Sequence, residues 1–231
     1  MYTIMNHKIL FKIEEMLQTS PQLLRNSEKL RQAIRGVFSV DIEDCSYTSI
    51  DNIVEKIDEK VLAKYFGEVW QPRTKTYKHS GLSVVSEINS MKPRSVIDIG
   101  CGYNEFKNQI DNLIGIDPYN KNADIQVPLL DFTSDYKFDV AIAFGSINFG
   151  STDKIFSELE KAVSLMNKNG KLFFRVNPGL SHDAPESKWI SFYPWSTNFI
   201  INSADYLGVD ILDIKSDNNG RLYFVWSKPQ D

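Results

Sequence analysis

Apolar positions along this chain change their period part-way through. Between residues 5 and 18, Ile9, Leu10, Ile13, Met16 and Leu17 recur at helical spacing. Ser20-Pro21 reads as an N-cap followed by proline at the first helical position. It predicts a second helix with Leu23, Leu24, Leu30, Ile34 and Val37 on one side. Residues 41–48 are polar and predict a connection. Ser49-Ile50-Asp51 then opens a third helix with Ile53, Ile57, Val61 and Leu62 inward. Residues 66–78 are irregular, because Pro72 disfavours helix. Their aromatic and basic side chains suit either the border of a ligand pocket or a linker whose Trp70 fills a groove. A short helix follows at 80–90, with Leu82, Val85 and Ile88.

Beyond residue 90 the pattern alternates. Near-continuous apolar runs at 95–99, 113–116, 125–127, 138–144 and 171–176 predict parallel strands covered on both faces. Helical spacing returns at 104–110 and at 153–167, the latter through Ile155, Phe156, Leu159, Val163 and Leu165, with Gly170 as its C-cap glycine. A last helix near 196–207 precedes two strand patterns, 209–214 and 221–226, joined by Asp217-Asn218-Asn219-Gly220. Asn-Gly between strand patterns is a hairpin signal. The reading is an α/β fold: a doubly wound sheet, parallel except for a C-terminal antiparallel hairpin, with an N-terminal helical extension. It divides the chain into an extension and linker at 1–78 and a ligand-binding domain at 79–231.

Composition narrows the function classes. The 231 residues suffice for one three-layer domain plus a helical segment. A net charge of -4 argues against a surface built mainly to grip nucleic acid, although a local basic patch stays possible. Cys45 and Cys101 make no disulfide framework, and with His7, His79 and His182 they give no metal-ligand spacing, so no metal is expected. No run approaches the roughly 18 apolar residues of a membrane span. Asn6, His7 and Lys8 interrupt the N-terminus, so no signal peptide is read. The expectation is a cytoplasmic protein with no membrane partner. The sequence sets no oligomeric state.

The chemistry gathers at Asp98-Ile99-Gly100-Cys101-Gly102-Tyr103-Asn104-Glu105-Phe106. A turn that brings backbone close to a ligand needs residues without a Cβ, hence Gly100 and Gly102, with the small Cys101 between them. Asp98 puts a carboxylate at the strand's C-terminal end, where α/β folds bind ligands. The third glycine of a dinucleotide fingerprint is replaced by Glu105, whose charge would repel a pyrophosphate at a helix N-terminus. A cofactor with a cationic amine and sulfonium but no phosphate suits this acidic turn better. Asp117, 17 residues after Gly100, ends the next strand and can accept hydrogen bonds from a ribose.

Residues 94–227 resemble the class I S-adenosylmethionine-dependent methyltransferases, which have a Rossmann-like fold. The resemblance rests on Val96-Ile97-Asp98-Ile99-Gly100-Cys101-Gly102, on Asp117, on Phe138-Asp139-Val140 and on the terminal hairpin. It implies S-adenosylmethionine as cofactor, with Asp98 and Gly100 near the methionine moiety, Cys101 and Gly102 in the cofactor turn, and Asp117 on the ribose. It also implies Pro118 or Tyr119 on the adenine and the run Phe144-Gly145-Ser146 facing the transferring methyl, with Leu130 among the cofactor-binding residues. Arg73 and Tyr77 could grip the methionine carboxylate. Asn104 stands where the family turn has a third small residue; Asn tolerates left-handed backbone. Pro128 takes the place of the family's acid near the adenine, with Asp131 three residues later.

Methyl transfer needs in-line approach more than it needs a catalytic side chain. His182 is the candidate base; a lone histidine equally serves as a surface or packing residue. Asn148, Asn177, Trp189, Tyr193 and Trp195 are candidate acceptor-binding residues, against the alternative that the aromatics are core. The Asn/Asp-Pro-Pro-aromatic motif of nucleobase amino methylation is absent at 144–149. No cysteine follows that strand for cytosine C5 chemistry. Three readings remain: a methyltransferase for a small-molecule or polar acceptor, which is preferred; one for RNA or protein; and a non-catalytic cofactor-binding partner subunit.

Overall fold

The computed structural model describes residues 6–43, 45, 49–72 and 74–230. The chain falls into two compact units: Met1–Trp70 with Ser181–Ser191, and Gln71–Leu180 with Phe192–Asp231.

In the first unit, α1 (His7–Thr19), α2 (Ser27–Phe38) and α3 (Ile50–Lys64) are capped by the side chains of Asn6, Asn26 and Ser49, each accepting backbone N–H bonds of the first turn. The helix expected to start at Ser20-Pro21 is two pieces. Pro21–Arg25 is a 3-10 turn, and α2 restarts at the Asn26 cap. The inward face shifts accordingly to Leu30, Ile34 and Phe38, and Leu24 is exposed. In α3, Ile53, Ile57, Val61 and Leu62 are buried as expected. A single π-helical turn, Tyr65–Val69, follows it. Segment 181–191 is tied in by the Asn6 amide, which donates to Asp58 Oδ1 (2.9 Å) and to the Trp189 carbonyl (2.7 Å). Lys8 Nζ adds a bond to the Ile190 carbonyl (2.8 Å).

The second unit is a six-stranded sheet in the order β2-β1-β3-β4-β6-β5. Its strands are β1 (Val96–Ile99), β2 (Leu113–Ile116), β3 (Phe138–Phe144), β4 (Met166–Val176), β5 (Asp210–Ser216) and β6 (Leu222–Ser227). β2, β1, β3 and β4 run parallel; β6 is antiparallel to both β4 and β5. The hairpin turn contains left-handed Asn219 and Gly220, the pair that announced it. One face carries α5 (Thr152–Ser164) and α6 (Thr197–Leu207), through Ile155, Leu159, Ile200 and Ala204 over Ile97, Ala141, Leu172 and Phe224. The other face carries a 3-10 turn (Gly81–Val84) leading into α4 (Val85–Ser90), and the segment after the glycine turn, through Val84, Ile88, Phe106 and Ile110 over Val96, Val140, Phe173 and Val225.

Three expectations are corrected. Residues 104–110 are consecutive turns, not a helix, because Asn104 (φ 57°) and Asn108 (φ 66°) adopt left-handed backbone that interrupts helical bonding. Residues 125–127 contribute one bridge, Ile116 to Ile125, and not a strand. Ile125 is 42% exposed, and Pro128 lacks the N–H that would extend a ladder. Gly170 does not cap α5. It lies within β4, in an irregularity where Phe138 faces Met166 but Val140 faces Lys171, and Asn169 takes the left-handed position.

Candidate functional site

The C-terminal ends of the parallel strands carry the chemistry. Gly100 and Gly102 both have positive φ (69° and 51°). A Cβ on Gly100 would lie 2.2 Å from Ser146 Cβ, so only glycine lets the ends of β1 and β3 approach this closely. The turn is stitched to β2, with Gly100 N and Cys101 N donating to the Ile116 carbonyl at 2.8 and 3.0 Å.

Asp117, at the end of β2, is buried. Its Oδ2 accepts from Gly102 N (3.0 Å) and its Oδ1 from Tyr119 N and Asn120 N (both 2.8 Å). A carboxylate has about four acceptor positions, so three amides leave roughly one for a ligand. Asp124 fixes the turn from behind. Burial opposes its ionisation, but bonds from Gly115 N, Lys107 and Asn104 outweigh that and hold it below the usual carboxylate range.

Asp98 is different. The residue is 3% exposed, and no hydrogen bond from a described residue reaches its carboxylate. Burial and then the neighbouring Asp117 push its pKa up to about 8. The same burial, with Asp98 next, raises the Cys101 thiol, which stays neutral. Three further buried polar atoms lack a protein partner in this region: Asn104 Oδ1, Asn120 Nδ2 and Ser146 Oγ. With turns in place of a helix after Gly102, no helix starts directly behind the glycine turn. The pyrophosphate cradle of a dinucleotide fold is therefore missing for a second reason besides Glu105. Glu105 itself accepts from the Thr74 hydroxyl.

The other sequence candidates fall as follows. Phe144 ends β3, half-buried, with Phe106 at 6.0 Å and Tyr223 at 6.4 Å between ring centroids. Pro118 is half-buried directly after Asp117, and Leu130 is 42% exposed in a 3-10 turn, Leu129–Asp131. Arg73 lies outside the described residues. Tyr77, expected at the cofactor carboxylate, lays its ring on the Arg175 guanidinium, 3.9 Å from carbon to centroid. Asn148 and Asn177 are buried and brought together: Asn177 N donates to Asn148 Oδ1 (2.9 Å), and the Asn177 side chain closes the turn at Gly179 and Leu180. Tyr193 N joins them through the Asn148 carbonyl (2.7 Å). Trp195 is 2% exposed. Its indole N–H donates to the Ile147 carbonyl and its ring packs on Tyr193, Phe199 and Phe224, so its place is in the core.

His182 and Trp189 belong to the helical unit. His182 Nδ1 lies 3.0 Å from the Tyr65 hydroxyl, with Phe66 nearby, and Trp189 packs on Phe38. Burial, then Glu186 and Asp183, raise the pKa of Tyr65 and keep it neutral. Sequence reasoning missed Arg175, Asp217 and Ser80. The available signal was Arg175 itself, a charge inside the apolar run of β4.

No protein-family model and no curated protein matches the sequence. Solved structures match its fold. A 1,6-didemethyltoxoflavin-N1-methyltransferase of Burkholderia thailandensis, crystallised with 1,6-didemethyltoxoflavin and S-adenosylhomocysteine, is similar at TM-score 0.58 and 12% identity, over 82% of this chain and 95% of that one. Magnesium protoporphyrin IX methyltransferase of Synechocystis PCC 6803, with bound S-adenosylmethionine, is similar at TM-score 0.54 and 13% identity, over 79% and 100%. The fold is that of the class I S-adenosylmethionine-dependent methyltransferases. Among the described residues no helix is long and apolar enough to cross a membrane, and no cluster of His, Cys, Asp or Glu could hold a metal.

Proposed function

We propose that this chain is an S-adenosylmethionine-dependent methyltransferase acting on a small molecule. The observation that carries the reading is Asp98. A buried carboxyl without a donor, beside a second buried carboxylate, costs free energy until a cation with hydrogen-bond donors reaches it. The ammonium and sulfonium of this cofactor supply that charge, and its lack of phosphate suits a glycine turn that no helix follows directly. The residues therefore fit the cofactor. Asp98 would hold the amine, the backbone of Gly100, Cys101 and Gly102 would line the methionine moiety, and Asp117 would take one ribose hydroxyl with its remaining lone pair. Pro118 and Leu130 would flank the adenine, and Phe144 would shield the reacting centre from water. Bound, the cofactor would supply an electrophilic methyl group for in-line displacement.

Support for a small acceptor comes from the two similar enzymes, which carry methyltransferase names built on 1,6-didemethyltoxoflavin and magnesium protoporphyrin IX. Tyr193 and Asn177 stay within the proposal as acceptor-side residues.

Calorimetry with S-adenosylhomocysteine tests the cofactor reading; no heat at millimolar ligand would end it. Asp117→Ala is expected to weaken that binding by about 1–3 kcal/mol, the scale of a buried polar group left unpaired. An affinity equal to that of the parent chain would place the ribose elsewhere. Strongly salt-dependent RNA binding would instead favour the RNA-methylating alternative.

A further inference from the structure

Across β3 from the glycine turn, the same edge of the sheet carries a second polar cluster that the cofactor reading does not use. Arg175 is the penultimate residue of β4, paired with Phe144 of β3 on one side and Tyr223 of β6 on the other. Cross-strand partners share a face, so Phe144, Arg175 and Tyr223 form one row. Arg221 directly precedes β6, whose first residue, Leu222, pairs with Val176. β6 is antiparallel, so its start lies at the edge where the parallel strands end.

The charges in this cluster do not balance. Arg175 Nε donates to Asp217 Oδ2 (2.8 Å). Asp217 is fully engaged, with Lys78 N, His79 N, Asn218 N and the Ser80 hydroxyl also donating to it. It neutralises one guanidinium, and Arg221 is the second. Burial and then the Arg175 charge lower the pKa of Arg221, with Tyr77 acting the other way. Arg221 Nη1 makes a long bond to the Asn219 carbonyl (3.4 Å), and Arg175 Nη2 one to the Asn218 carbonyl (3.5 Å). Arg175 Nη1 and Arg221 Nε and Nη2 have no partner among the described residues. Tyr77, on the face of the Arg175 guanidinium, is a positioning residue that fixes its plane.

We infer that Arg175 and Arg221 form a subsite for a carboxylate on the methyl acceptor. The inference rests on the cofactor reading above. Two guanidiniums share one bonded carboxylate, which suits a monoanion, and the Glu87 and Asp213 charges that also reach Tyr223 oppose a phosphate dianion. Guanidinium edges match a planar carboxylate. Neighbouring strands lie about 4.8 Å apart, so β4 stands roughly 10 Å from β1, which places the subsite on the acceptor side of β3. The Phe144 and Tyr223 rings in the same row favour an acceptor whose carboxylate sits on an apolar or aromatic body.

Ligand-observed NMR on the full chain tests this with benzoate, benzamide and inorganic phosphate, each with and without saturating S-adenosylhomocysteine. Benzoate is expected to bind at least about tenfold more tightly than benzamide. Arg221→Gln is expected to remove most of that difference, Arg221→Lys to keep part of it, and both to leave S-adenosylhomocysteine affinity within about twofold. Equal binding of benzoate and benzamide, or benzoate binding unchanged in Arg221→Gln, overturns the inference. A large loss of S-adenosylhomocysteine affinity in Arg221→Gln overturns it too, by giving the pair to the cofactor's own carboxylate. Phosphate displacing benzoate at lower concentration overturns the carboxylate class. Failure of the unmodified chain to bind S-adenosylhomocysteine would count against the cofactor reading alone, because the cofactor-free benzoate arm is read independently.

Discussion

Asp217→Ala is expected to destabilise the fold by about 3–5 kcal/mol, the cost of leaving a buried partner charge uncompensated. The Asp217 side chain is fully buried and that of Arg175 is 10% exposed. Five donors converge on one carboxylate, and three of them come from residues 78–80. The substitution therefore unties that segment from the hairpin as well as orphaning Arg175. Denaturant midpoints at constant m-value measure it. A double variant with Arg175→Met should recover much of the loss, because an ion pair replaced by apolar groups is often neutral. A loss under about 1 kcal/mol would mean that water compensates the arginine. The acid side gives a second check. Burial opposes ionisation of Asp217, but the Ser80, His79, Arg175 and Asn218 bonds outweigh it and lower the pKa. Its contribution is thus present above the ordinary aspartate value near 3.8 and fades as pH falls through the lower folded value. The acid limb of the stability curve should flatten in Asp217→Ala.

The frame of the fold was legible in the sequence because each parallel strand is buried on both faces, and continuous apolar runs say so directly. The hairpin was legible because left-handed backbone at Asn219 and Gly220 needs those residue types. The same chemistry misled at 104–110. The periodic Phe106 and Ile110 do face the sheet, as a helix would place them, yet asparagines at 104 and 108 turn the backbone by another route. At 125–127 three apolar or neutral residues suggested a strand, but an edge position bounded by Pro128 offered them little to bury against. Within the site, Asp98 and Asp117 could be picked out by position, but their opposite circumstances could not. One carboxylate has three amides and the other has none, and that depends on how the turn at 102–120 closes. The Arg175–Asp217 pair spans 42 residues of sequence and has no local signature at all.

Asp98→Asn should change the pH dependence of both stability and cofactor binding. The folded pKa of Asp98 is raised from 3.8 to about 8, by burial first and by Asp117 second. Between those values the folded chain binds a proton that the unfolded chain has lost, so stability falls as pH rises through that window. Asparagine does not titrate. The melting temperature of Asp98→Asn relative to the parent chain should therefore climb from pH 5 to pH 8. Two neighbouring groups with shifted values do not mimic the effect: the raised Cys101 thiol lies above the window and the lowered Asp124 below it. Cofactor binding should show the converse. An ammonium beside Asp98 favours the carboxylate, so S-adenosylhomocysteine binding at pH 7 should release close to one proton, read from the dependence of binding enthalpy on buffer ionisation enthalpy. In Asp98→Asn that dependence should vanish and affinity should fall by about 1.5–3 kcal/mol, the worth of a charged hydrogen bond. Proton release persisting in the variant would assign the titration to another group. Undiminished affinity would take the amine away from Asp98, and with it the observation on which the methyltransferase reading stands.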